Sequence, residues 1–429
     1  MHVARIEIRN VKGFGDGDEA LELDLTEGGK RTSLAGWTVF AGTNGSGKTT
    51  LLQAVALGID RADTYRAVAD QLPDWIHGDA PSGSLKLRLL HQGREAIAHN
   101  ITVEWKRDPS RSFTRSGGLA PTSRRERDEP PIDAWFMAAY GPSRRVIGRL
   151  DDTTDLLDPR AHRSAGLFRE DAFLAESVQW LQKLDYRQLA GEAEAKRLLD
   201  HVIALLNDDL LPGGLRVLGV TPDGLRMQHR GVELTLQSLS HGYRTTAAFV
   251  ADLVMHIAAL EGRVRFESLP DGRVIVPHPG VVLVDEMELH LHPSWQKKIG
   301  FWLKEHFPAV QFLVTTHSPF ICQAADTLVR LSPPGEGQPV AEIVDESTYR
   351  RVVGGGADDA VVSSLFGLDY PHSDKAERAR ERLAALEVKE FDGQLTAAER
   401  PELEGLRREL PDTPSASVEQ ALRKVAAAR

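Results

Sequence analysis

The sequence holds a single cysteine, Cys322, in 429 residues. One thiol cannot close an intrachain disulfide or build a cysteine-type zinc site, and such cysteine usage points to a reducing cytoplasm. Long apolar runs are missing as well. None approaches the roughly 20 residues a helix needs to cross a bilayer, so no membrane association is expected. The opening residues Met1 to Arg9 lack the apolar core of a secretory signal. Excess positive charge is also absent: 52 Lys and Arg stand against 62 Asp and Glu, a net charge of −10. That excludes a surface coated in phosphate-binding cations, though not a local basic track. Arg111, Arg115, Arg124, Arg125 and Arg127 form one basic stretch, and Arg144, Arg145 and Arg149 another. Each reads either as such a track or as a solvated loop. What is present, 41% hydrophobic and 27% charged residues, is what a soluble globular protein carries. The length suits two or three domains, or one large domain with insertions.

The chain is organised around Val39 to Leu52, which contains Gly42-x-x-x-x-Gly47-Lys48-Thr49. This is the spacing of a phosphate-binding loop. The apolar run Trp37 to Ala41 predicts a buried strand before it, and Thr50 to Leu57 a helix after it. Glycines bend such a loop so that backbone N–H groups face phosphate oxygens, and the helix N-terminus adds partial positive charge. In that arrangement Gly42, Asn44, Gly45, Ser46, Gly47, Lys48, Thr49 and Thr50 would cradle ATP. Lys48 would reach the β- and γ-phosphates, and the Thr49 hydroxyl would ligate Mg²⁺.

Alternation predicts strands at 3–9 and 21–25, with a turn between them. Lys12 in that turn lies near the nucleotide or serves only the turn. Further strands are predicted at 85–90 and 100–105, then a loop at 116–131, then a buried strand at 134–140. That strand delivers Gly141-Pro142-Ser143-Arg144-Arg145, a plausible second edge of a nucleotide site. Apolar spacing gives amphipathic helices with Phe173, Leu174, Val178, Trp180, Leu181 and Leu184 on one, and Leu198, Leu199, Val202, Leu205 and Leu206 on the next. Strands at 215–220 and 234–236, on either side of the turn Pro222-Asp223-Gly224, are read as returning the chain to the sheet.

Leu239-Ser240-His241-Gly242 precedes a strong helical pattern, Thr245 to Leu260, and forms a second helix start suited to an anion. An apolar strand, Gly280 to Val284, then ends in Asp285 and Glu286. Asp285 suits Mg²⁺, and Glu286 suits the base or orienter of an attacking water. Another buried strand ends at His317, which could hydrogen-bond a γ-phosphate. The spacing Glu288-x-His290-x-His292 invites a metal reading. It directly follows the acidic strand, where a turn at a subunit contact is expected, and no second ligand cluster accompanies it.

Taken in order, these segments resemble the Walker A loop, signature, Walker B with catalytic glutamate, and switch histidine of ABC-type ATPases. The runs Asp285-Glu-x-Glu-x-His-Leu-His-Pro293 and Thr315-Thr-His-Ser-Pro319 are similar to those of RecF/SMC-like and OLD-like ATPases. Among these the chain resembles AAA-type ATPases of bacterial anti-phage systems such as the Septu ATPase PtuA and retron-linked ATPases. His241 and His292 depart from the transporter pattern, and so does the separation of 197 residues (239 − 42) between phosphate loop and signature.

The resemblance implies an α/β fold: an ABC-type P-loop head with an N-terminal β lobe, an inserted helical subdomain and an α-helical C-terminal tail. The expected divisions are 1–150, 151–235, 236–330 and 331–429. The implied catalytic residues are Lys48, Glu286 and His317, with Ser240 and Gly242 binding ATP from a second protomer and Thr49 and Asp285 holding the metal. A homodimer or larger assembly follows, with an effector, a nuclease, supplied in trans. No Asp-x-Asp on a strand marks a nuclease in 331–429, where Leu383, Leu386, Phe391, Leu395, Leu403, Leu406 and Leu410 suggest a helical cap or docking element. A RecF-like repair ATPase that binds nucleic acid directly is the alternative, and a transporter subunit fits least.

Overall fold

The computed structural model describes residues 2–26, 34–59, 74–91, 94–107, 113–116, 136–144, 164–168, 174–261, 264–335 and 338–410. Most of the basic stretch at 111–127, Arg145, Arg149 and the predicted loop at 116–131 lie outside the described residues, as does Phe173. Two compact units divide the chain, residues 1–360 and 361–429.

In the first unit, β1 (His2–Arg9) and β2 (Leu21–Asp24) alternate as the sequence indicates: Ile6, Ile8, Leu21 and Leu23 are buried, while Arg5 and Glu22 face out. After β3 (Gly36–Gly42) and α1 (Lys48–Ile59) come β4 (Ser82–His91), β5 (Arg94–Lys106) and β6 (Phe113–Ser116). These complete an antiparallel sheet of order β2-β1-β4-β5-β6. β7 (Phe136–Tyr140) follows. Every residue of β7 is buried, as a strand covered on both faces requires.

Helices α2 (Ala175–Leu189) and α3 (Ala193–Asn207) pack their apolar stripes inward; Val178, Leu181, Leu184, Leu199, Val202, Leu205 and Leu206 are buried. The return region differs from the expectation. It is a meander, β8 (Arg216–Thr221), β9 (Gly224–His229) and β10 (Val232–Thr235), forming its own sheet of order β10-β9-β8. The polar turn at 222–223 therefore closes a hairpin, and the strand after it was hidden by Arg226, Gln228 and His229 among its apolar residues.

The 21-residue α4 (His241–Glu261) comes next, then a two-stranded ribbon, β11 (Glu267–Ser268) with β12 (Val274–Ile275). Strand β13 (Gly280–Val284), α5 (Pro293–His306), β14 (Val310–Thr316), β15 (Thr327–Leu331) and β16 (Ala341–Ile343) finish the central sheet, ordered β16-β15-β3-β14-β13-β7. Its strands run parallel except the edge strand β16. That edge strand, within the segment expected to be helical, lies ahead of α6 (Glu346–Gly354).

Helix α1 is buried almost all round. Leu51, Leu52 and Val55 share one core with Ile6, Ile8, Leu85 and Leu87 of the antiparallel sheet and with Phe40, Leu283 and Leu313 of the parallel sheet. The two sheets thus clamp the helix that carries Lys48 and Thr49.

The second unit is a helical hairpin of α7 (Asp374–Phe391) and α8 (Arg400–Glu409). Leu383, Leu386 and Leu403 form its small core, with Leu395, Leu406 and Leu410 packed against it. Phe391, expected on that stripe, is instead 92% exposed where α7 ends.

Candidate functional site

The parallel order of the central sheet brings the ends of β3, β13 and β14 side by side. Ligands of open α/β sheets bind beyond the carboxyl ends of such strands. Beyond β3 lies the loop 42–47, with Gly45 at φ +83 and Gly47 at φ +85, backbone that residues with a side chain rarely adopt. A Cβ on Gly47 would also collide with the ring of Phe14. Gly42 and Ser46 are buried, Asn44 and Gly45 exposed, and Thr50 half-buried. Lys48 Nζ donates to the carbonyl oxygens of Gly42 (3.0 Å) and Thr43 (2.9 Å). Burial lowers the Lys48 pKa, while Asp285, Glu286 and Glu288 pull the other way.

The acidic strand end meets this loop directly. Thr49 Oγ1 donates to Asp285 Oδ2 at 2.7 Å, across 236 residues of sequence. Thr315 Oγ1, from β14, donates to Asp285 Oδ1 at 2.5 Å and accepts from the Glu286 N–H at 2.8 Å. Thr315 and Asp285 are buried, and Glu286 is half-buried. Glu286 has φ +46, a left-handed conformation that costs a residue with a side chain about 1–3 kcal/mol and survives only when its surroundings hold it. Beyond β14, Glu288 accepts from the Thr316 hydroxyl and from the His317 N–H, both at 2.6 Å. His317 itself is exposed.

Ser240 and Gly242 sit elsewhere, at the start of α4. Gly242 is buried against the loop that follows Asp285, where a Cβ would lie 2.5 Å from the His290 carbonyl oxygen. The His241 and His290 rings lie 4.2 Å apart, and Tyr243 packs edge-on against Trp295. Ser240 is exposed. The segment before α4 is therefore tied to the Asp285 loop of its own chain, while Ser240 at its end is exposed.

The motif Glu288-x-His290-x-His292 diverges in space. Glu288 holds the His317 segment, His290 meets His241, and His292 Nδ1 caps α5 by accepting from the Ser294 N–H. Among the described residues no group of His, Cys, Asp and Glu could hold a metal on its own. Lys12 (φ +49) reaches out of its turn: Nζ lies 4.1 Å over the Trp75 ring and donates to Gln53 Oε1 of α1, and burial lowers its pKa.

Sequence reasoning placed the Arg144 turn at a second edge of a nucleotide site, and the structure sets Arg144 against the backbone of the strand end that carries Asp285 and Glu286. Arg144 is 6% exposed, and its guanidinium donates to carbonyl oxygens of Gly141 (3.2 Å), Asp285 (2.7 Å), Glu286 (2.8 Å) and Met287 (3.5 Å). Burial lowers its pKa to about 10 against the raising influence of Asp285, Glu288 and Glu286, so it stays charged at neutral pH. Thr315, Glu288 and Arg144 are the polar residues whose roles the motif reading missed. Apart from Gly141, their partners lie 28 to 142 residues away in sequence, beyond the reach of local spacing.

The loop suits a phosphate chain. The first-turn N–H groups of α1 have no intrahelical acceptors. Ser46 Oγ is fully buried without a hydrogen-bond partner, an orphaned donor beside the loop. Asp285 and Thr49 supply the oxygen donors that Mg²⁺ prefers.

A family model described as "AAA domain, putative AbiEii toxin, Type IV TA system" matches residues 38–323. The chain belongs to this AAA family. That span holds the phosphate loop, the signature segment, the acidic strand and His317, and membership brings nucleotide binding with it. Among curated relatives, Septu protein PtuA of Bacillus mycoides (strain KBAB4) is 25% identical over 319 residues, 74% of this chain and 38% of that protein. The "Retron Vc95 probable ATPase" of Vibrio cholerae serotype O1 biovar El Tor is 22% identical over 74% of this chain and 71% of its own length. The "Retron Ec83 probable ATPase" of Escherichia coli is 37% identical over 106 residues, 18% of that protein. The chain thus spans well under half of PtuA and of the Ec83 protein. An SMC head bound to the C-winged helix domain of ScpA matches 80% of this chain and 97% of its own with a TM-score of 0.47 and 16% identity. The Thermotoga maritima SMC head covers 80% and 98%, with TM-score 0.41 and 17% identity. Likeness of that size carries no functional argument. Among the described residues no helix is long and apolar enough to cross a membrane.

Proposed function

We propose that this chain binds and hydrolyses ATP as an ABC-type ATPase and serves as the sensor or regulatory subunit of a bacterial anti-phage system. The observation that supports this most is the 2.7 Å bond between Thr49 of the phosphate loop and Asp285 of the acidic strand. Thr49 and Asp285 would hold Mg²⁺, whose charge offsets that of the phosphate oxygens. Lys48 would reach the β- and γ-phosphates, with Gly42, Asn44, Gly45, Ser46, Gly47 and Thr50 around the chain of phosphates. Glu286 would orient the attacking water and take its proton. His317 would bond the γ-phosphate.

The exposed Ser240 at the head of α4, with Gly242 behind it, would complete the site of a second copy. ATP then joins two heads, and hydrolysis releases them. The kinship with Septu and retron proteins supports a defence role in which a partner chain, a nuclease, performs the damage.

Affinity capture of the tagged chain from its native locus, with ATP present and native mass recorded, tests this reading. A stoichiometric effector and a dimer that persists in Glu286→Gln are expected. A bare dimer with salt-dependent DNA binding and DNA-stimulated turnover would replace the defence role by that of a RecF-like repair ATPase. Absence of ATP turnover in the wild-type chain would remove the ATPase reading itself, whereas wild-type turnover in Glu286→Gln would remove only the assignment of Glu286 as the base.

A further inference from the structure

We propose that Arg144 is a positioning residue for Glu286. Its guanidinium grips the carbonyl oxygens of the two peptide groups flanking the Glu286 Cα and so sets the direction of the carboxylate. The inference rests on the reading of Glu286 as the group that handles the attacking water.

Four observations converge. Glu286 stands at φ +46, where a relaxed glutamate does not rest. The carbonyl before it and its own carbonyl accept from Arg144 Nη1 and Nη2 at 2.7 and 2.8 Å. Its N–H donates to Thr315 Oγ1 at 2.8 Å, pinning the same residue from the opposite strand. Arg144 itself is buried, and its own turn is anchored because Gly141 and Asp285 flank one guanidinium nitrogen. Those donors serve backbone oxygens of the strand end that carries Asp285 and Glu286. A planar fork with several fixed donors can bridge successive carbonyls; an ammonium offers a point charge without that geometry. With the fork gone, the peptide groups around Glu286 lose their restraint, the backbone relaxes, and the carboxylate no longer addresses the water's position. The phosphate loop, on a different strand, is left intact.

The experiment is a double-mutant cycle on the full chain with wild type, Arg144→Lys, Glu286→Gln and the combined variant. Steady-state ATP turnover and affinity for a fluorescent mant-ATP probe are measured for each. Arg144→Lys should lower kcat by about ten- to a hundredfold, since small misplacements of a reacting group have effects of that order. Its mant-ATP affinity should stay within about threefold. In the Glu286→Gln background the same change should alter the residual rate by less than about twofold, because the group being aimed is already gone. Arg144→Ala should fall below Arg144→Lys in kcat; if it fails to fold, the lysine cycle decides. Three outcomes overturn the proposal: undiminished kcat in Arg144→Lys, an equal drop in both backgrounds, or a drop carried by lost mant-ATP affinity. Wild-type turnover in Glu286→Gln would instead remove the base assignment, and this inference with it, a pattern distinct from the other three.

Discussion

The two ends that meet at the site are built in different ways. Around the phosphate loop the bonds are local: Lys48 reaches back to Gly42 and Thr43, and the Leu51 N–H to the Gly47 carbonyl. At the acidic strand they are long-range. Asp285 and Glu286 are held by Thr49 of α1, Thr315 of β14 and Arg144 of the turn after β7. A locally closed loop takes its shape from its own residues. The acidic end takes its shape only from the sheet order that assembles its partners.

The largest effect expected from that contrast is on the local side. Lys48→Ala removes the loop's own cation and should reduce ATP turnover by about a thousandfold or more while the fold persists. Turnover and mant-ATP affinity measure it; wild-type affinity would refute the placement of phosphate here. On the long-range side, Thr315→Val keeps the shape but strips a donor from Asp285 and an acceptor from the Glu286 N–H. Buried groups left unpaired cost about 1–3 kcal/mol each, so this single change should lower both stability and kcat. Denaturant melts and turnover report the two; an effect on only one would show that the acidic end is not a single unit.

A smaller effect follows from Gly47→Ala, which should destabilise by about 1–3 kcal/mol through left-handed backbone and the clash with Phe14. Pairing it with Phe14→Leu should recover the steric share and leave the backbone share. Full recovery would mean that the loop is less self-determined than its local bonds suggest.

The smallest effect concerns the C-terminal hairpin, which belongs to the second unit. Lys389 and Thr396 hold the Glu399 carboxylate down at about 2, and Arg382 lowers that of Glu402. Both titrate lower in the folded state than unfolded. Their contribution is therefore complete above about pH 5 and fades as pH falls towards 2. The Arg382–Glu402 pair is exposed and the Lys389–Glu399 pair only half-buried, so the change is slight. Amide protection in α7 and α8, corrected for intrinsic exchange, should decline across that window, and Glu399→Gln should flatten the decline.

The same contrast explains what could be read beforehand. Val39 to Leu52 announces its strand, loop and helix because each residue's neighbours in sequence are its neighbours in space. Val281 to Val284 reads as a buried strand for the same reason, being apolar on both faces. Arg144 reads only in outline: a turn arginine suggests an edge of a nucleotide site, and nothing nearby reveals that the Asp285 and Glu286 carbonyls, 141 and 142 residues away, will claim it. Strand β9 does not announce itself, because Arg226, Gln228 and His229 dilute its alternation. Glu288 was grouped with His290 and His292 by spacing, although the bend after Glu286 sends the three in different directions.

The order of the central sheet also bears on how the protein comes off the ribosome. Strand β3 is made early, yet its two neighbours are β14 and β15, paired through Gln311 with Gly36 and Thr327 with Thr38. Val3 is likewise bonded in both directions to the side chain of Gln311. At about 5–20 residues per second, roughly 15 to 60 s separate synthesis of the phosphate loop from synthesis of the strands that flank it. During that interval the loop has its helix but lacks the sheet that orients it. Nascent and prematurely terminated chains therefore carry the phosphate loop without Asp285, the partner that Thr49 meets only once the later strands are made.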